Sequence, residues 1–177
     1  MTMKPSQPEH DRDVRMTRPK QQVSKRLKGL EGQLREARKK TERLISVRDR
    51  SSAELKLRLE KAGFSDTVIR REVDDALSAG LVDDERFMRL YIEGKKRCGW
   101  GQNRIEAELK RFGIEIRLSE GYPESFFDEE EEIKRAQECL CSFRSSAKDQ
   151  WAAGYRRLIS RGFSREIAQK VLRTLTI

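Results

Sequence analysis

The sequence predicts an all-α protein, an elongated tandem array of three three-helix repeats at residues 41–80, 81–127 and 128–177. A basic tail (1–20) and an N-terminal helical extension (21–40) precede them. Four observations carry this. Gly63-Phe64-Ser65 returns as Gly162-Phe163-Ser164, with Gly113-Ile114 between them, at intervals of 50 and 49 residues. Each glycine has a leucine four residues before it (Leu59, Leu109, Leu158) and an apolar residue five after it (Val68, Leu118, Ile167). Self-similarity at such a period marks supersecondary units that must stack to bury their apolar faces. Charged residues make up 39% of the chain, hydrophobic residues only 36%, and the mean hydropathy is −0.84, which suits thin seams between helices rather than a thick core. Runs of Val and Thr are few, which argues against a sheet.

Residues 1–20 hold three of the four prolines (Pro5, Pro8, Pro19) among polar and charged residues and read as disordered. From Val23 the positions Val23, Leu27, Leu30, Leu34, Ala37, Thr41 and Leu44 alternate spacings of 4 and 3, a heptad seam that predicts a long helix to about Arg48. Gly29, Gly32 and Thr41 make it a poor dimer interface, so it reads as packing on its own body, and the chain as a monomer.

In the first repeat, Ser51 and Glu54 have the spacing of a capping box, and Leu55 and Leu59 share a face. Gly63 can end that helix, and Ser65 can cap the next, with Val68, Ile69, Val73 and Leu77 as its stripe. A preceding helix ending in Leu44, Ile45 and Val47 completes the unit. The last repeat copies the plan, with a second capping box at Asp128 and Glu131, Ser164 as cap, and Ile167, Val171, Leu172 and Leu175 as stripe. The acids Glu129 to Glu132 suit the positive end of a helix dipole.

In the middle repeat, Asp83 can cap a helix whose Phe87, Leu90, Tyr91, Gly94 and Cys98 share a face. A second helix carries Ile105, Leu109 and Phe112. For the third, Ile114, Ile116 and Leu118 alternate like a strand and Pro123 opposes a helix interior, but Leu118, Tyr122, Phe126 and Phe127 match the stripes of the neighbouring units. A short or kinked helix is expected.

Most of the net charge of +9 sits in residues 1–40, with 12 basic and 5 acidic residues, whereas residues 41–127 carry 17 of each. On charge alone the tail serves equally as a phosphate-contacting or a solubilising segment. Three cysteines (Cys98, Cys139, Cys141) and no secretory segment near Met1 point to a reducing, cytoplasmic setting, and no apolar run suits a membrane span. One His, His10 in the tail, leaves no Ser-His or Cys-His pair in the body. Phosphate-loop spacings are absent, and the cysteine spacing is a poor zinc set. Neither catalysis, nor a cofactor, nor a metal is expected.

The concentrated feature is Lys95-Lys96-Arg97, then Gly99-Trp100-Gly101, then Arg104, with Lys110-Arg111 further on. Basic residues at a helix end, a glycine-hinged turn and Arg on the next helix resemble a helix-turn-helix, a surface able to meet phosphates or an acidic protein. Trp100 reads first as a corner residue covering the core and second as a hot-spot anchor. Lys95, Lys96, Arg97, Arg104, Lys110 and Arg111 are the expected partner-binding residues.

The stretch Leu81-Val82-Asp83-Asp84-Glu85-Arg86-Phe87, with Tyr91, Gly99-Trp100-Gly101, Arg104-Ile105, Glu108-Leu109 and Gly113-Ile114, resembles the core motif of the RecX regulators. Upstream, Arg48-Asp49-Arg50-Ser51, Glu54-Leu55, Leu59 and Gly63-Phe64-Ser65 are similar to the preceding part of that family. The resemblance covers residues 41–177 and is looser in the last unit. It implies tandem three-helix repeats that bind the RecA recombinase filament on single-stranded DNA and modulate it, usually by inhibition, in bacterial homologous recombination, DNA repair and the SOS response. It also implies no chemistry of the chain's own. Single- or double-stranded DNA is a second expected partner, through the basic tail. A direct DNA-binding protein using the helix-turn-helix-like middle unit is the alternative. The Gly121-Tyr122-Pro123 interruption and the long basic N-terminal helix depart from the family pattern.

Overall fold

The computed structural model describes residues 19–141, 143–144 and 146–175, and every regular element among them is helical. The expected tail lies outside the described residues up to position 18, as do the side chains of Val23 and Leu27.

Helix α1 (Pro19–Ile45) is one continuous rod, so the extension and the first helix of the body are a single element. Its seam packs on the chain itself: Ala37 and Thr41 are fully buried, with Leu30, Leu34 and Leu44 beside them. Thr41 is tolerated there because its hydroxyl donates to the Ala37 carbonyl at 3.1 Å. The helix stops three residues short of Arg48. Arg50 Nε donates back to the Leu44 carbonyl at 3.0 Å, satisfying the last turn with a side chain. Val47, expected in the core, is therefore turned out and 77% exposed.

Helices α2 (Ser52–Glu60) and α3 (Asp66–Ser78) close a first apolar cluster with α1 through Leu55, Leu59, Val68, Ile69 and Ala76. Ser51 caps α2 by accepting from the Glu54 amide at 3.1 Å, but the reciprocal half of the capping box is absent, since the Glu54 carboxylate is taken by Arg48 and Arg50. Ser65 is the N-cap of α3 by backbone conformation only and makes no side-chain cap bond. Leu77 lies at the exposed edge of the expected stripe.

A second cluster gathers Met88, Ile92, Ile105, Leu109, Ile116, Phe126 and Phe127 from α4 (Asp84–Arg97), α5 (Gln102–Arg111) and the segment after them. On α4 the buried residues are Phe87, Met88 and Ile92, because the face towards α5 follows i,i+4 pairs; Leu90 and Cys98, expected inward, are exposed. No third α-helix forms here. A 3-10 turn (Ile116–Leu118) and a series of turns through Phe126 cross the gap instead, with Leu118 84% exposed. Pro123 has no N–H to continue a helix, so Ile116, Phe126 and Phe127 bury themselves from irregular backbone.

The third cluster, Ala136, Leu158, Phe163, Ile167, Ala168, Val171 and Leu172, is formed by α6 (Glu129–Cys141), α7 (Gln150–Arg161) and α8 (Arg165–Leu175). Asp128, Asp149 and Ser164 cap these helices by accepting the Glu131, Ala152 and Ile167 amides at 2.8, 2.9 and 3.1 Å. Glu131 does not close a box, because its carboxylate lies between Lys96 and Arg135.

The clusters meet through two joints of one design. At the first, Ser51 Oγ donates to the Phe112 carbonyl at 2.8 Å, and the Ser52 amide donates to Asp84 Oδ1 at 2.7 Å. At the second, fifty residues on, the Gly101 amide donates to the Arg161 carbonyl at 2.9 Å, and the Gln102 amide donates to Glu132 Oε1 at 2.9 Å. Each joint seats a helix N-terminus on a glycine corner of the following cluster, with a carboxylate holding the first amide of that helix. The corner glycines, Gly113 (φ 77°) and Gly162 (φ 90°), are left-handed. A Cβ at Gly113 would meet Ala53 Cβ at 2.5 Å, and one at Gly162 would meet Arg104 Cβ at 2.2 Å. The periodic glycines thus let the clusters approach as well as ending helices.

Candidate functional site

The end of α4 and the start of α5 build a cation–aromatic surface. Gly99 (φ 70°) reverses the chain after α4, placing Trp100 beside the helix it has just left. Lys95 Nζ lies 4.4 Å from the Trp100 ring centroid and Arg104 Cζ lies 3.9 Å from it, so two cations lie over the indole. Lys95 also stands 5.0 Å from the Tyr91 ring. Tyr91 in turn stacks on Phe87 at 5.9 Å and meets Phe112 edge-on at 5.3 Å, which makes a rigid aromatic floor. Burial, then the Glu108 carboxylate, push the Tyr91 hydroxyl above its ordinary value, and Arg104 and Arg111 pull the other way. Trp100 is partly buried against the second cluster, as a corner residue should be.

Of the expected partner-binding cations, Lys95 and Arg104 converge on Trp100. Arg111 pairs with Glu108 at 3.2 Å beside them, and Lys110 pairs with Glu115 at 3.5 Å; both cations are largely exposed. Lys96 and Arg97 instead line a cleft between the second and third clusters. Lys96 is 13% exposed and tied to Glu93 and Glu131 at 3.2 and 3.7 Å, with its ammonium 5.7 Å from the Phe127 ring.

The family-motif residues divide into clear jobs. Asp83 caps α4 by accepting the Arg86 amide at 2.9 Å, and Asp84 clamps the first joint. Glu85 pairs with Arg89 at 2.9 Å, and Arg86 reaches Asp49 at 3.6 Å. Phe87 and Tyr91 form the floor, and Leu109 is fully buried. Gly99 makes the reversal and Gly113 the first corner. Gly101 allows the second close approach, since a Cβ there would lie 2.3 Å from the Phe163 nitrogen.

Sequence reasoning missed the buried carboxylates. Glu106 accepts from Gln102 Nε2 at 2.7 Å, from Arg117 Nε and Nη2 at 3.0 and 2.8 Å, and from the Tyr122 hydroxyl. Burial alone would raise its pKa, but the hydrogen bonds from Tyr122, Gln102 and Arg117 hold it below the usual range. The i,i+4 spacing of Gln102 and Glu106 was the one visible signal. Glu132 is buried too, and there burial prevails and raises its pKa.

Among the described residues, no group of three or more His, Cys, Asp or Glu is placed to hold a metal ion, and no helix is long and apolar enough to cross a membrane.

Residues 83–117, which span α4 and α5 and end within the 3-10 turn, match the model of "RecX, second three-helix domain". The "Regulatory protein RecX" of Mycolicibacterium vanbaalenii is 32% identical over 80 residues, 45% of this chain and 44% of the relative. That of Mycolicibacterium smegmatis is 35% identical over 74 residues, 39% of the relative, so the chain spans less than half the length of these relatives. Against that of Caldanaerobacter subterraneus subsp. tengcongensis the match is 27% over 139 residues, covering 78% of this chain and 70% of the relative. The crystal structure of RecX from Lactobacillus salivarius superimposes with a TM-score of 0.70 at 14% identity, covering 82% of this chain and 97% of that one. Another RecX crystal structure gives 0.71 at 16% identity, covering 96% and 80%. These two show a shared fold.

Proposed function

We propose that this chain, a relative of the RecX regulatory proteins that carries their second three-helix domain, regulates homologous recombination by binding the RecA filament on single-stranded DNA and inhibiting it. The division into three stacked repeats, 41–80, 81–127 and 128–177, belongs to this reading: repeated joints give a row of units able to lie along an oligomeric partner. The observation that carries it is the Trp100 surface, inside the family-matched stretch, where Lys95 and Arg104 flank one aromatic face. An aromatic anchor ringed by cations is a common hot-spot composition, and it suits an acidic protein surface. On this reading Lys95, Arg104, Lys110 and Arg111 face the recombinase, and the protein works as a cytoplasmic monomer.

The test is RecA ATPase on single-stranded DNA with and without the chain, alongside binding to bare and RecA-coated strands across a salt series. Preference for the coated strand together with lowered ATPase is the expected result. Tight binding to bare duplex with no preference for the coated strand would replace this reading with a direct DNA-binding one, which the positive charge of residues 1–40 favours.

A further inference from the structure

A second basic feature lies apart from Trp100, in the cleft of about 480 Å³ where the end of α4 meets α6 and α7. Its walls carry five cations, Lys96, Arg97, Arg135, Arg157 and Arg161, against three carboxylates. Arg161 is spent on the joint, donating to the Cys98 carbonyl at 3.3 Å. Arg135 is not satisfied. Its side chain is only 12% exposed, and its Nε and Nη2 have no hydrogen-bond partner among the described residues; Arg157 Nε is in the same state. Nε and Nη2 form one edge of the guanidinium, the two-pronged fork that matches two oxygens of one oxyanion. A buried guanidinium with that whole edge unpaired is rare in folded proteins and calls for an explanation.

Glu131 supplies it. Its carboxylate is mostly exposed and sits between Lys96 Nζ at 3.7 Å and Arg135 Nη1 at 3.6 Å, too far for a good hydrogen bond to either. The chain's own carboxylate thus lies loosely between two cations without filling their donor positions. We infer that this cleft is a binding site for an oxyanion of the phosphate class, which displaces the Glu131 carboxylate from between Lys96 and Arg135. Because Arg135 Nε and Nη2 are closed off from solvent, the guanidinium must turn that edge towards the cleft as the anion enters. Among the described residues, none of the side chains lining the cleft is aromatic, so the site grips a phosphate group rather than stacking a base. The phosphate is presented either as a free ion or as the backbone of a single strand.

Two opposite variants of the full-length chain test this. Binding is measured by calorimetry with inorganic pyrophosphate and by anisotropy with a labelled single-stranded oligonucleotide. Glu131→Gln, an exposed change that spares the fold, removes the internal competitor and should tighten binding by about threefold or more, while Arg135→Gln should weaken it by about tenfold. Arg135→Lys keeps the charge, loses the fork and should fall between. A response in the pyrophosphate arm identifies a free ion as sufficient; a response confined to the oligonucleotide identifies the strand backbone. Glu131→Gln binding within twofold of the parent in both arms overturns the proposal, whatever the Arg135 variants do. Trp100→Ala, at the other surface, should leave both arms unchanged, so this site and the recombinase reading stand or fall separately.

Discussion

Glu132 Oε1 accepts the Gln102 amide at 2.9 Å, and through that bond a side chain of α6 holds the first turn of α5. Asp84 does the same for Ser52 at the other joint, but Glu132 is the more deeply buried of the two carboxylates. Burial raises the Glu132 pKa; the Gln102 amide, Arg135 and Lys96 oppose that rise, and Glu106 adds to it. A carboxyl whose folded pKa lies above its unfolded value favours folding in its protonated form. Its contribution is full below the unfolded pKa and is lost as pH rises through the folded one. Glu132→Gln keeps an oxygen for the amide and removes the buried charge. Its Tm should exceed the parent's by a few degrees at about pH 8, with the gap closing below about pH 4. A lower Tm at the alkaline end would contradict the assigned direction.

Glu106 should behave in the opposite sense. Its pKa is lowered because three hydrogen-bonding side chains outweigh its burial, so its contribution is present above the unfolded carboxylate pKa and lost as pH falls through the folded value. Glu106→Gln leaves Arg117 and Tyr122 without their charged acceptor and should cost about 1–3 kcal/mol near neutral pH, measured by urea unfolding. An unchanged midpoint would show that the network adds nothing to stability.

Leu109 is fully buried at the middle of the second cluster, four residues before the corner glycine. Leu109→Ala should cost about 2–5 kcal/mol in the same assay. A midpoint equal to the parent's would mean that the site refills without loss.

The glycine period, the all-helical class and the four caps at Ser51, Asp83, Asp128 and Ser164 were legible because each rests on local spacing. What the spacing could not show was direction. Leu90, Leu118 and Val47 sit at plausible stripe positions yet face outward, since the inward face depends on which neighbour a helix meets. The third helix of the middle unit failed at Pro123, where the proline was a better guide than the match to neighbouring units, and the strand-like alternation of Ile114, Ile116 and Leu118 gave a 3-10 turn rather than a strand. Lys96 and Arg97 adjoin Lys95 in sequence, but consecutive residues on a helix point about 100° apart, so the basic run divides between the Trp100 surface and the cleft.

Gly101 tests the joint itself. Its backbone conformation is open to any residue, but a Cβ would lie 2.3 Å from the Phe163 nitrogen and 2.4 Å from the Gly162 carbonyl carbon, both backbone atoms that cannot swing aside. Gly101→Ala should therefore push α5 away from the Gly162 corner, breaking the bonds to the Arg161 and Gly162 carbonyls. A loss of about 1–3 kcal/mol is expected, with faster amide exchange at Gln102 and Asn103. Gly94→Ala, on α4 with nothing near its Cβ position, is the control and should be neutral or slightly stabilising. Equal behaviour of the two variants would mean that the close approach at Gly101 is unimportant.

Arg104 carries two jobs whose separation decides the proposed surface. Its guanidinium covers Trp100 at 3.9 Å and reaches the Ser160 carbonyl at 3.4 Å, while its Cβ packs where a Gly162 Cβ would be. Arg104→Glu keeps the Cβ contact and reverses the charge. If this face meets the recombinase, binding to the RecA-coated strand should weaken by about tenfold or more, with the helical circular-dichroism signal intact. Arg104→Lys keeps charge but not the planar stacking and should lose less. Trp100→Ala removes the anchor from beneath both cations and should reproduce most of the Arg104→Glu loss, because Lys95 then has lost the nearer of its two rings. Undiminished inhibition by both Arg104→Glu and Trp100→Ala, in chains that remain folded, would move the recombinase contact to another face.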